Sequence, residues 1–464
     1  MRKYLTLIVL MYLRFFARKA LARHKPTIIG IAGSVGKSST AHMLFSVLSL
    51  QEKTSLIGNS ETGIPLGILG LQPTTYTLFD WIRLLINAPR GIDHLKNTKY
   101  LITEMGIDDP FPPKNMGYLL TILKPEIAIA LNESATHSQQ FEKALQHKNL
   151  PQSEEERLKE IESIIAKEDC RIITESGCKV AIYNADDENI THIINENQTS
   201  TLKKTQCISF GNDPSRNLSY KRYEITTSHS IFSLRAETSQ WDDQEIEIAF
   251  PGMLLPKAYM QSIAAVIAAS LSLSIPKETI KKGIESFSLP HGRATLLTGI
   301  NNTKIIDSSY NSSKAAVYTF LEMIHALKKE TKRPIIFLFG DMRELGEEAK
   351  IEHEQVAEKL QGIVDHLFLV GPLTKQYVLP LFPEAPGSYG LKEIRWFTNA
   401  RYAGEYMKDS LPQNAIVLVK GSQNTIFLEE AVKYILADKK DAKKLCRQTS
   451  FWVKLKNDQG ILGS

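Results

Sequence analysis

The sequence predicts an α/β protein: a mainly parallel-sheet, P-loop-type domain over residues 26–293, followed by a Rossmann-like domain over 294–437. Three observations lead there. Short apolar runs alternate with segments of helical period along most of the chain, the pattern of parallel strands joined by helical crossovers. The first such run, PTIIGIA (Pro26–Ala32), ends in a glycine turn, and helical spacing follows from Lys37 to Leu50. A break at Leu289–Arg293 (LPHGR) is followed by a fresh strand–helix alternation.

In chain order, the buried-strand candidates after Pro26–Ala32 are Tyr100–Thr103, Ile127–Leu131, Val180–Tyr183, Ile305–Ile306, Ile335–Phe339, His366–Val370 and Ile416–Val419. Each is a short apolar run, as expected of a strand covered on both faces. Residues 201–250 alternate instead in short stretches (Tyr223–Thr227, Ser230–Ala236, Glu245–Phe250), which predicts an antiparallel patch. Gln152–Glu160 is a charge run that reads as a solvated helix face, and residues 438–464 read as a partly ordered tail.

With 464 residues, 43% apolar and 23% charged, the chain is no disordered polymer. Cys170, Cys178, Cys207 and Cys446 form no CxxC pair, so they read as reduced thiols of a cytoplasmic protein. The net charge of +5 is uneven: seven basic residues and no acid fall in residues 1–25, so the remainder carries −2. That balance argues against a nucleic-acid-binding face. The leader, residues 1–25, is apolar from Tyr4 to Leu13 apart from Thr6, well short of the roughly 20 residues a spanning helix needs. Arg14, Phe15, Phe16, Arg18 and Lys19 stand where a signal peptide would want small residues. The expectation is a helix lying at the membrane interface, basic toward anionic headgroups, with the body on the cytoplasmic side. A helix packed on its own domain is the alternative.

The chemistry concentrates in GSVGKSST, Gly33–Thr40. Glycines let backbone amides turn around phosphate oxygens, and the following helix presents its positive end. Gly33, Ser34, Val35, Gly36, Lys37, Ser38 and Ser39 are therefore expected to hold a nucleotide, with Lys37 reaching the β/γ-phosphates and Ser38 a Mg²⁺ ion. Gly33 and Gly36 enclose two residues where the Walker pattern has four.

That shortened spacing, G-x-x-G-K-S/T, resembles the Mur ligases and folylpolyglutamate synthases, and further motifs follow in the family's order. GNSETGIPLGIL (Gly58–Leu69), YLITEMGIDD (Tyr100–Asp109), LKPEIAIALNESATHSQQF (Leu123–Phe141), YNADDEN (Tyr183–Asn189) and HGR (His291–Arg293) are similar to family segments. IIDSSYNSSKAAV (Ile305–Val317), FLFGDMRELGEEA (Phe337–Ala349) and VLVKGSQNTIFLEE (Val417–Glu430) narrow the likeness to the D-alanyl-D-alanine-adding branch. The resemblance, over about residues 26–437, implies an ATP-dependent, ADP-forming ligase that makes an amide through an acyl phosphate. Its substrates would be a muramyl-peptide acceptor and a D-amino-acid dipeptide or similar amine, in peptidoglycan precursor synthesis.

The same resemblance implies roles. Glu104 and His137 join Ser38 as magnesium ligands; Lys167, in IIAKEDC, is the candidate for a carbamylated lysine; Lys37, Glu104, His137 and Lys167 form the catalytic set. Gln261 falls at an adenine-contacting position, and Arg293 and Asp307 are residues brought onto ATP when such enzymes close. Asn311, Asp341, Arg343, Lys420 and Ser422 are expected to hold the incoming amine. A monomer is expected. Departures lie on the substrate side: the phosphate loop begins at Gly33 with no acceptor-binding domain before it, Ala258 and Gln261 replace asparagines, Ser308 replaces an aspartate, and Gln423 an arginine. A poly-γ-glutamate synthase of the CapB/PgsB kind, or a non-catalytic nucleotide-binding scaffold of envelope synthesis, remain as alternatives.

Overall fold

The computed structural model describes residues 2–75, 77–133, 140–145, 153–241, 244–382, 390–422 and 425–461. Its strands are β1 (Thr27–Ala32), β2 (Thr54–Ile57), β3 (Tyr100–Glu104), β4 (Ile127–Ala130), β5 (Val180–Asn184), β6 (Gln206–Gly211), β7 (Leu218–Ile225), β8 (His229–Ala236), β9 (Glu245–Pro251), β10 (Thr295–Thr298), β11 (Lys304–Ser308), β12 (Ile335–Gly340), β13 (His366–Val370), β14 (Glu393–Phe397) and β15 (Ile416–Lys420). One sheet runs β2-β3-β1-β4-β5-β6-β7-β8-β9 and the other β10-β11-β15-β12-β13-β14. The chain forms two compact units. The first comprises Met1–Arg222, Ser233–Ile248 and Tyr259–Phe287; the second comprises Tyr223–Phe232, Ala249–Ala258 and Ser288–Ser464.

In the first unit β1 pairs in parallel with both β3 and β4, with Ile31 opposite Glu104 on one side and Ile129 on the other. The chain order reverses at β1, and such a reversal leaves a crevice beyond the carboxyl ends of the strands, where open α/β sheets bind ligands. In the second unit β11, β15, β12, β13 and β14 are parallel and only β10 runs against its neighbour β11. Every expected strand is present. The unexpected β2, β10 and β14 are sheet edges; an edge strand is open on one side and does not need a continuous apolar run.

Two expectations need correction. The segment 206–211 is not part of an antiparallel patch: β6 continues the parallel run beside β5. Only β7, β8 and β9, consecutive in the chain and neighbours in the sheet, take the up-and-down arrangement that their alternation predicted. Residues 438–461 are also more than a partly ordered tail. They hold a 3₁₀ turn at Lys439–Lys444 and a helix at Ser450–Asp458, and they bury Leu445, Cys446, Arg447 and Lys456. The cause is ion pairing with Glu429 and Glu430, which no local pattern announces.

The leader is one helix, Arg2–His24. Leu10, Leu13, Ala17 and Ala20 are buried on its inner side. Arg23 pairs with Asp93 at 2.9 Å, and His24 Nε2 lies 3.0 Å from the Ile92 carbonyl. Among the described residues no helix is long and apolar enough to cross a membrane.

Candidate active site

The phosphate loop grows directly out of β1. Gly33 and Gly36 have φ of 129° and 94°, left-handed values that only glycine adopts without strain. A Cβ on Gly33 would lie 3.1 Å from the Asn132 backbone, so side chains are excluded from the cradle on steric grounds too. Asn132, just beyond β4, holds the loop's shape. Its carbonyl accepts from Ser34 N–H at 2.8 Å and its Oδ1 from Val35 N–H at 2.9 Å. Asn132 Nδ2 in turn donates to Gln261 Oε1 at 2.9 Å. Gln261 therefore braces the loop from below, on the buried helix Tyr259–Ser272.

Lys37 opens the helix Lys37–Leu48 and donates to the carbonyls of Gly33 and Ser34. One residue on, Ser38 Oγ donates to Glu104 Oε2 at 2.7 Å, with Glu104 at the end of β3. A hydroxyl and a carboxylate in contact beside a phosphate loop are hard oxygen donors of the kind Mg²⁺ takes. The residues present thus fit a nucleotide and the first part of a magnesium shell. Among the described residues no group of three or more His, Cys, Asp or Glu side chains is arranged to hold a metal. The expected third ligand, His137, lies outside the described residues.

Beneath the loop is a feature the sequence reading missed. Glu133, next to Asn132, and Asp169, on the helix Glu154–Thr174, form a buried carboxyl pair. Ser34 Oγ donates to Glu133 Oε2 at 3.4 Å, and Glu133 N–H donates to Asp187 Oδ2 at 2.9 Å. Burial and mutual repulsion push the Glu133 carboxyl well up; burial pushes Asp169 up to about 6, with Lys37 opposing. Glu133 Oε1 and Asp169 Oδ1 are buried without a hydrogen-bond partner. Lys167, singled out from the sequence, is exposed on the same helix and is not brought to the loop.

The pair predicts a pH dependence. The folded pKa of Asp169, about 6, exceeds the ordinary 3.8, so the native state keeps a proton that the unfolded chain has lost. The associated stability is complete below the unfolded value and is lost as pH rises through the folded one, about 2–3 kcal/mol in all. Asp169→Asn should therefore gain on the wild type as pH rises from about 4 to about 7. Urea midpoints across that range check it; a constant difference between the two proteins would refute it.

In the second unit Asp307, Asn311, Asp341, Arg343, Lys420 and Ser422 lie at the ends of the adjacent parallel strands β11, β15 and β12 or on the loops that leave them, and Arg293 precedes β10. Lys420, buried at the end of β15, donates to the Asn311 carbonyl at 2.9 Å. Burial pulls its ammonium down to about 7, with Arg293 adding to the depression and Asp307 opposing it. Ser422 Oγ accepts from Arg343 N–H at 2.9 Å and reaches the Ser312 carbonyl at 3.4 Å. Asp341 is buried, accepts from Thr374 N–H at 2.8 Å, and offers its own carbonyl to Ser422 N–H at 2.9 Å. Arg343 also donates to Thr425. Asp307 is fully buried, raised to about 6 chiefly by that burial, and its Oδ2 is without a hydrogen-bond partner. Arg293 does not pair with it; its guanidinium lies 4.7 Å over the Tyr310 ring. Gln423 lies outside the described residues.

A second missed group supports these loops. Arg447 donates to both oxygens of Glu429, at 2.9 and 2.6 Å, and also to the carbonyls of Ser309 and Tyr310, at 2.8 and 3.0 Å. A buried guanidinium thus clamps the turn that follows Asp307.

Residues 31–266 match the Mur ligase middle domain, and residues 292–423 match the Mur ligase glutamate ligase domain. The chain belongs to the Mur ligases. As a Mur ligase it is an ATP-dependent, ADP-forming enzyme. It is 26% identical over 401 residues to the UDP-N-acetylmuramoyl-tripeptide–D-alanyl-D-alanine ligase of Borreliella burgdorferi, covering 85% of this Mur ligase and 72% of that one. It is 22% identical to the same-named enzyme of Bacillus subtilis, over 88% and 76% of the two chains. MurF of Thermotoga maritima, solved in complex with ADP, superposes with a TM-score of 0.65 at 19% identity, covering 94% and 84%. The apo form of L. casei FPGS superposes with a TM-score of 0.57 at 14% identity, covering 92% and 93%. At these identities the solved structures show a shared fold.

Proposed function

We propose that this Mur ligase joins D-alanyl-D-alanine, or a similar amine, to a muramyl-peptide carboxylate in peptidoglycan precursor synthesis. The meeting of Ser38 with Glu104 beside Lys37 and the Gly33–Gly36 turn carries the chemistry. The activities for which the relatives are named point to the substrates. An acceptor carboxylate oxygen attacks the γ-phosphorus of ATP and ADP leaves; the amine then attacks the acyl carbon, loses a proton, and phosphate departs. Backbone amides of the loop and the Lys37 ammonium hold the phosphates in place, where fixed donors and charge stabilise the crowded anion. Mg²⁺ on Ser38 and Glu104, with His137 completing the set, would neutralise the transferred phosphoryl group. Arg293 and Asp307 serve the nucleotide, and Asn311, Asp341, Arg343, Lys420 and Ser422 the amine. The protein works as a cytoplasmic monomer with its N-terminal helix at the inner face of the membrane.

The test is phosphate release by the purified chain with ATP and muramyl tripeptide or pentapeptide precursors, free or lipid-linked. D-alanyl-D-alanine or glutamate is supplied as the amine. Release that requires both a muramyl acceptor and D-alanyl-D-alanine is expected. Turnover with glutamate alone, or none with any pair, would remove the proposal.

A further inference from the structure

The helix Leu78–Asn87 carries apolar side chains on its outer as well as its inner face. Its acidic residue Asp80 is buried, accepting from Thr74 and Thr75 N–H at 2.7 and 3.0 Å and pairing with Arg83 at 2.6 Å. Leu84 is buried and Trp81 and Leu85 pack against the core, while Leu78, Phe79, Ile82 and Ile86 are 69%, 82%, 45% and 61% exposed. A surface helix ordinarily turns that stripe toward the core and its charges toward water. The N-terminal helix repeats the arrangement. Behind Leu10, Leu13, Ala17 and Ala20, which are buried, Ile8, Met11 and Phe15 are 62%, 58% and 53% exposed. These three lie at i, i+3 and i+7, on one face. The two helices touch, for Tyr12 Oη donates to the Leu85 carbonyl at 3.3 Å.

We propose that the outward faces of Arg2–His24 and Leu78–Asn87 form one docking surface for an anionic lipid bilayer. Charge selects this occupant. The N-terminal helix contains no acid, and Arg18 and Lys19 are exposed on it, with Lys19 Nζ only 4.6 Å above the exposed Phe15 ring. Exposed apolar side chains beside exposed cations such as Arg18 and Lys19 suit an interface of acyl chains beneath anionic headgroups. A second copy of this chain would set those cations against each other. With no helix able to span among the described residues, the helices lie in the plane of the interface. The inference rests on the membrane reading of the N-terminal helix and adds a second helix that its sequence did not suggest.

The experiment is co-sedimentation of the full chain with phosphatidylcholine vesicles, with and without phosphatidylglycerol. It compares wild type with Phe79→Ser/Ile82→Ser/Ile86→Ser and with Ile8→Ser/Met11→Ser/Phe15→Ser. Binding should need phosphatidylglycerol and weaken with salt, and each triple variant should bind about tenfold or more weakly. Both should melt like the wild type and keep its ATP turnover without vesicles, since only exposed side chains change. If only the N-terminal variant lost binding, the two-helix surface would be wrong while the N-terminal reading survived. If the wild type ignored anionic vesicles, both would fall. If it instead formed a dimer that the Phe79 triple variant dissolved, the face would belong to a second copy and the lipid proposal would be overturned.

Discussion

Lys37→Ala is expected to lower ATP turnover at least about a thousandfold, the scale reached when fixed charge is removed from a phosphoryl-transfer site. Lys37 opens its helix at the mouth of the Gly33–Gly36 turn and already lies on the Gly33 and Ser34 carbonyls, one residue from the Ser38–Glu104 contact. No rearrangement is needed to bring its ammonium to the loop. Its charge also opposes the upward shift of Glu133 and Asp169, so its loss leaves those two carboxyls more strongly protonated. Lys37→Arg should recover little, because a planar guanidinium does not replace a point charge in so close a cradle. Steady-state phosphate release measures both variants. Wild-type turnover in Lys37→Ala would show that phosphate chemistry takes place elsewhere.

The largest effect on stability is expected from Arg447→Met, at about 3 kcal/mol. Removing one member of a buried ion pair leaves the other charged and undersolvated, which costs about 3–5 kcal/mol. The lower end applies because Glu429 keeps Lys456 Nζ at 2.8 Å. The pairing Arg447–Glu429 has side chains 2% and 0% exposed, so solvent cannot take over. Adding Glu429→Gln to Arg447→Met should restore part of the loss, since the stranded charge is then gone. Urea unfolding of the two variants and the wild type provides the check. A loss of less than about 1 kcal/mol would mean the site is far wetter than its burial indicates. Arg447 also holds the Ser309 and Tyr310 carbonyls, so the variant should raise KM for the amine more than it lowers kcat.

What the sequence determined by itself was chemistry that is local along the chain. The apolar run of β1, the left-handed turn at Gly33 and Gly36, and Lys37 and Ser38 at a helix start all lie within a few residues of their cause, whereas Glu104 ending β3 was singled out by the family resemblance. Steric rules for glycine and the burial of short apolar strands suffice to predict them. Lys420, Ser422, Asp341 and Asn311 were singled out only through the family resemblance of their motifs; the parallel order of their strands is what brings their loops together. Only the tertiary structure decided which side chains meet across the chain. Lys167 and Asp169 differ by about 200° around one helix, and packing alone turns the second toward Lys37. Gln261 lies under the loop because an almost wholly buried helix carries it there. Arg447 finds Glu429, and the helix Leu78–Asn87 buries Leu84 while leaving Phe79, Ile82 and Ile86 outward, through contacts between distant segments. Desolvation and long-range pairing set these outcomes. Both depend on what surrounds a residue in space, which neighbouring letters do not record.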